Sequence, residues 1–276
     1  MTDYPIKDQG YLEETRPAEF LTGIIPYRVV LQTGDWRPFV PAGEPQFSQV
    51  SDSMSCVSYS NNNLCEISLK QQGYDLSPTG FSDRALAKLS GTTKKGNTFA
   101  AVADSTYRNG RILEAEWPVP QNFTWDSFYA DIPQNIKDKA VFFDEDYQFI
   151  SPQIDNLKYH LKQCPIQISI PYPVPNHAVV LLAIIGSTAY YFDSYPGATN
   201  YLKTMPVSDI NSAMKLIIKP KIMTKYYIIK SGQKLGVAVE EGYVMNTFFA
   251  ADLPDFERLK DALNAPANMQ TVILPQ

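Results

Sequence analysis

The sequence predicts an α+β fold with helices in its first half and an antiparallel sheet in its second. Apolar residues recur at helical spacing up to about residue 163, and from Ile166 the period switches from 3.6 to 2. Helices followed by strands is also not the strand–helix alternation of a parallel α/β chain. With 276 residues, 44% hydrophobic and 19% charged, the chain is globular and long enough for one main domain with an appendage. A net charge of −5 and a pI near 5.1 argue against binding to a nucleic-acid backbone.

Residues 1 to 45 are turn-rich, with prolines at 5, 17, 26, 38, 41 and 45, and read as an extended arm with one strand at Tyr27–Leu31, YRVVL. No basic segment followed by an apolar one opens the chain, so no secretory signal is expected and a cytoplasmic setting is. Between Ser55 and Gln72, Val57, Leu64, Ile67 and Leu69 give helical spacing. The run Asn61-Asn62-Asn63 is poor helix material, so tertiary contacts must hold that stretch. Asp75–Leu89 reads as a turn plus a helix, Asn97–Asn109 as a helix ended by Gly110, and Ser151–Gln163 as another. Strands are expected at Ile166–Ile170, His177–Ile185 and Ala189–Phe192, the last two joined by the turn Gly186-Ser187-Thr188. Further strands are expected at Tyr226–Ile229, Leu235–Val239 and Gly242–Phe249, then a helix over Pro254–Leu263 capped by Asp252. The expected organisation is an arm at 1–45, a main domain at 46–219 and a β-β-α extension at 220–276. The longest apolar run, Ala178–Ile185, is far short of the roughly 20 residues of a membrane-spanning helix.

Cys56, Cys65 and Cys164 are an odd, sparse set without a CxxC pair, a poor disulfide framework that fits a reducing compartment. With only His160 and His177 beside them, no Cys/His metal site is expected. Cys56 follows the turn-like SQVSDSMS and opens a helical stretch, where free backbone N–H groups and the helix dipole favour a thiolate. The plain alternative is a small buried hydrophobe. His177 begins an apolar strand and is the stronger of two candidates for a general base, since His160 sits on an amphipathic helix. The following strand returns as a hairpin and brings Asp193 toward His177, where a carboxylate orients an imidazole. DSYPG is also a good turn sequence by itself. Gln46 and Gln49 precede the cysteine, and either amide is suited to donate to a developing oxyanion. Spacing slightly favours Gln49.

Taken in order, glutamine, cysteine opening a helix, histidine opening a strand and a carboxylate one hairpin on, this pattern resembles a papain-like cysteine peptidase. His177 and Asp193 follow Cys56 by 121 and 137 residues, against roughly 130–150 in that family. CVSYSNNNLCEISL resembles the family's helix after the nucleophile, HAVVLLAI its histidine strand, and FDSYPG falls where it has Asn-Ser-Trp-Gly. The resemblance spans residues 25 to 200 and implies a two-lobed fold, helical on the left and antiparallel β on the right, with the site in the cleft. It implies acyl transfer from a peptide or protein substrate, without cofactor, metal, nucleic acid or membrane. The family's substrate-cleft glycines correspond to Gly96-Asn97, and Asn176 and Ala178 flank the histidine and would line the cleft. Val57 replaces the usual aromatic after the nucleophile, and Asp193 stands where papain has Asn. With 55 residues ahead of Cys56, no long inhibitory pro-segment is expected, and the short arm is left to lie across the cleft. Such chains look similar to proteins of bacteria and their phages. The alternatives are an inactive papain-like binding or assembly module, or an amidase or transpeptidase acting on cell-wall or isopeptide bonds.

Overall fold

The structure is a computed structural model that describes residues 11, 29–74, 76, 79–171, 176–197, 200–219, 225–231, 234–241, 244–249, 256–257 and 270–273. The chain divides into two compact units, Met1–Lys219 and Pro220–Gln276.

The first unit opens with α1 (Cys56–Gln71), α2 (Asp83–Leu89), α3 (Phe99–Asn109), α4 (Trp125–Phe128) and α5 (Gln134–Lys137). It continues with β1 (Asp144–Ile150), α6 (Ile154–Leu161), β2 (Ile166–Ile170), β3 (His177–Ile185), β4 (Thr188–Gly197), β5 (Asn200–Pro206) and β6 (Ser212–Lys219). The six strands form one sheet in the order β1-β6-β2-β3-β4-β5, antiparallel at every junction. The α+β class is as expected. β2 is buried at all five residues and β3 at its first seven; β3 reads as an apolar run, whereas β2, IQISI, alternates and buries Gln167 and Ser169 with hydrogen-bond partners.

Sequence-local chemistry sets the helix ends. Ser82 accepts a hydrogen bond from Ala85 N at 3.1 Å and Thr98 one from Ala101 N at 3.1 Å, the side-chain caps of α2 and α3. Gly110, at φ 67°, ends α3 in a conformation costly for other residues. α1 is different, with twelve of its sixteen residues buried, five of them Ser or Asn. Buried polar groups must find partners, and Arg111 supplies the main one. Its guanidinium donates to Asn62 Oδ1 at 2.5 Å, to Asn61 Oδ1 at 2.8 Å and to Glu145 Oε1 at 2.9 Å. Asn62 Nδ2 in turn donates to Asp83 Oδ1 at 2.9 Å. The asparagine run therefore lies inside a helix with Arg111 taking up the Asn61 and Asn62 amide oxygens and α2 the Asn62 amide nitrogen, while Asn61 Nδ2 is buried without a hydrogen-bond partner.

Several elements depart from expectation. Of the strand expected at Tyr27–Leu31, residues 27 and 28 lie outside the described set and 29–31 form no strand. The amides of Val30 and Leu31 both donate to Lys162 O, at 2.7 and 3.0 Å, and are spent on the end of α6. β1, β5 and β6 were not foreseen. β4 runs to Gly197, well past Phe192, and turns from β3 through Gly186-Ser187, with Ile185 opposite Thr188.

In the second unit, β7 (Lys225–Ser231), β8 (Lys234–Glu241) and β9 (Val244–Phe249) form an antiparallel meander, and β10 (Gln270–Ile273) pairs parallel with β7. The helix expected over Pro254–Leu263 lies outside the described residues, apart from a helical stretch at 256–257. Among the described residues, no helix is long and apolar enough to cross a membrane.

Candidate active site

Cys56 is the first residue of α1 and His177 the first of β3, and both are fully buried. Gln167 of β2 ties the two elements together. Its Nε2 donates to Val57 O at 2.9 Å and to Ser60 Oγ at 2.7 Å, fixing the first turn of α1 on the sheet beside β3.

His177 Nε2 lies 2.6 Å from Asp193 Oδ1. That leaves Nδ1 for the cysteine, and this atom is buried without a completed hydrogen bond. Cys56 is nonetheless close enough to act on the ring. Burial opposes protonation of His177, but the charge and hydrogen bond of Asp193, with a smaller contribution from Cys56, push its pKa up to about 10. Burial works against ionised Asp193 too, and there His177 and Lys203 prevail and hold its carboxyl below the usual range. The Asp193 oxygens are fully engaged. Oδ1 also accepts from Tyr195 N at 3.0 Å, and Oδ2 accepts from Lys203 Nζ at 2.7 Å.

The two glutamines part company. Gln49 is exposed in the turn between the paired residues Phe47 and Asp52. Gln46 is buried beside the His177–Asp193 pair. Its Oε1 accepts from Ser194 Oγ at 2.6 Å, and its Nε2 donates to Tyr195 Oη at 2.8 Å and Asp52 Oδ1 at 3.1 Å. Asp52 also accepts from Met54 N at 2.7 Å and from Tyr195 Oη at 2.6 Å, and shapes the turn that delivers Ser55 and Cys56 into α1. Met54 is left-handed there, at φ 55°. The Tyr195 ring leans on the His177 ring with centroids 5.0 Å apart.

Asn97 and Asn176 are brought together through one residue of the arm. Tyr11 pairs with Asn97 as a parallel bridge, donates its N–H to Asn176 O at 3.0 Å and packs its ring on Phe99 at 4.4 Å. Gly96, at φ 94°, turns the chain through paired bonds with Thr93, and the Asn97 side chain is taken up by Ser90 and Thr92. Ala178 belongs to the main hydrophobic core, as alternation along β3 dictates for the neighbour of His177. Cys65 and Cys164 are buried thiols, and burial pushes the Cys164 pKa up to about 12. His160 is half-buried and bonded to Gln163. No group of three or more His, Cys, Asp or Glu among the described residues is arranged to hold a metal.

The sequence reading missed Lys203, Asp52, Ser194 and Tyr195. Ser194 and Tyr195 were within reach, as the residues next to Asp193 on one strand. Lys203 needed the strand β5 to be recognised first.

No protein-family model and no curated protein matches the sequence. Solved structures do match the fold. Xylellain, a cysteine protease from Xylella fastidiosa, aligns with a TM-score of 0.59 at 15% identity over 77% of this chain and 96% of that one. The fold is papain-like. The procathepsin B S9 of Trypanosoma congolense aligns at 0.55 with 11% identity, covering 77% of this chain and 86% of its own. The digestive procathepsin L2 of Tenebrio molitor larval midgut aligns at 0.54 with 13% identity, covering 75% and 77%. These identities are low, so the likeness establishes the papain-like fold and leaves the chemistry to the residues of this chain.

Proposed function

We propose that this papain-like chain is a cysteine peptidase in which Cys56 attacks a peptide carbonyl. His177 takes the thiol proton and later gives it to the leaving amine, and Asp193 holds the imidazole. The carrying observation is the 2.6 Å contact of His177 Nε2 with Asp193, which reserves Nδ1 for a cysteine at a helix N-terminus. The Cys56 backbone N–H and the Gln46 amide are the oxyanion donors in this reading. Gln46 takes precedence over Gln49 because it is buried against Ser194 and Tyr195, whereas Gln49 faces solvent.

A second reading has specific support. Cys56 and His177 have almost no exposed surface, and both Nε2 hydrogens of Gln46 are committed to Asp52 and Tyr195. A closed, inactive binding module has this arrangement too.

The test is alkylation of Cys56 by iodoacetamide against pH, with Cys65 and Cys164 replaced by alanine. Reactivity well below pH 7 that shifts toward about 8.5, the ordinary thiol value, in His177→Ala supports the peptidase. A Cys56 that is inert in the folded protein, or indifferent to His177, supports the module.

A further inference from the structure

We infer that Lys203 is a positioning residue of this site. It neutralises the negative charge of Asp193, so that His177 meets an oriented acceptor without an uncompensated carboxylate behind it. This rests on the peptidase reading of Cys56 and His177.

The topology puts Lys203 there by register. On β5 it lies directly opposite Tyr191, two residues before Asp193 on β4. Side chains two apart on one strand share a face, so Lys203 and Asp193 are diagonal neighbours, a separation a long side chain bridges. The two oxygens of Asp193 are divided between two cations, with Oδ1 on His177 at 2.6 Å and Oδ2 on Lys203 at 2.7 Å. Lys203 keeps 21% of its side chain exposed and lines a cavity of about 360 Å³ with Tyr191, Met205 and Pro206. The Lys203 side chain therefore reaches solvent, while the Asp193 side chain has no exposure.

The chemistry explains why such a residue is needed. A neutral amide orients an imidazole without adding charge. A bare buried carboxylate orients it equally well but binds its proton too tightly for release to a leaving amine. An ammonium on the far oxygen offsets part of that excess. Other charged or titratable groups facing the pair are Cys56 from α1, Asp52 from the preceding turn, and Tyr191 and Tyr195 from β4. Among these the ammonium of Lys203 is the only cation, so its removal has one sign.

The experiment is an NMR titration of the His177 imidazole, assigned with the help of His160→Gln, in four proteins: wild type, Lys203→Met, Asp193→Asn and the double variant. The pH profile of Cys56 alkylation is recorded on the same samples, and thermal melts confirm folding. In Lys203→Met the imidazole should titrate higher by about one pH unit. In Asp193→Asn, where the ammonium stands alone, it should titrate lower. The double variant should return toward wild type, and Lys203→Arg should leave the titration in place. Alkylation should follow the same order. An imidazole titration unchanged in Lys203→Met, or a double variant no nearer wild type than Asp193→Asn, overturns the inference even if Cys56 is reactive. If the titrations follow the expected order while Cys56 stays inert, the charge balance stands and the peptidase reading fails.

Discussion

Replacing Arg111 with methionine should destabilise the first unit by about 3–5 kcal/mol, the cost of leaving a buried ionic partner alone. Arg111 is 2% exposed and its ion-pair partner, the Glu145 side chain, is 4% exposed. The guanidinium donates four hydrogen bonds: two to Glu145, at 2.9 and 3.1 Å, and one each to Asn61 Oδ1 and Asn62 Oδ1. Methionine fills much the same volume, so little of the loss comes from a cavity. The loss is the stranded carboxylate and two stranded amide oxygens, each worth about 1–3 kcal/mol when orphaned, and these overlap because the groups reorganise together. Thermal and urea unfolding followed by circular dichroism measure it, and for a unit of this size each kcal/mol moves the melting temperature by about 2–4 °C. Arg111→Met combined with Glu145→Gln should recover part of the loss, since the stranded charge is gone. A single variant that loses under about 1 kcal/mol, or a double variant less stable than the single, refutes the claim that Arg111 is what makes the asparagine run tolerable in α1.

Other predictions follow from the same structure. Burial pushes the Glu66 pKa up to about 8 and that of Glu114 to about 7, so between about pH 4.5 and 8 the folded chain holds protons that the unfolded chain releases. Stability should therefore fall as pH rises through that window, with His177 adding the same slope between about 6.5 and 10. Melting temperatures at pH 5 should exceed those at pH 8, Glu66→Gln should flatten the difference, and a wild type more stable at pH 8 contradicts this. Gly80 sits at φ 59°, and an added Cβ would collide with Glu66 Oε1. Moving Glu66 aside breaks the bond its Oε1 accepts from Phe81 N at 2.7 Å, so Gly80→Ala should cost more than Gly73→Ala, whose site is left-handed but open, by about 1–3 kcal/mol in urea unfolding; equal costs would remove the contact from consideration. In a peptidase assay, Gln46→Ala should lose about 10²-fold or more in kcat and Gln49→Ala should match wild type. Equal losses would return Gln49 to the site.

What was legible in the sequence was what local chemistry decides. Cys56 at a helix start, His177 at a strand start and Asp193 one hairpin later are each announced by neighbouring residues, and the hairpin brings His177 and Asp193 to 2.6 Å. The misses lie where a partner far along the chain decides. β1, DEDYQFI, reads as a charged surface segment until β6, some 70 residues later, is paired with it. YRVVL has strand composition, yet the Lys162 carbonyl takes two of its amides. Distance along the chain favoured Gln49 over Gln46, but the Phe47–Asp52 turn loops out the intervening residues, so the spacing gave no measure of proximity.

The burial of the His177–Asp193 contact also bears on ionic strength. Mobile ions screen charges that they can surround, over about 8 Å at physiological salt, and they cannot surround side chains with 1% and 0% exposure. Added salt should therefore leave this pair unaltered and reach it only through Lys203, on the wetted side. Any steep salt dependence of turnover would then report how a charged substrate approaches the net-negative chain, and not how tightly the imidazole keeps its proton.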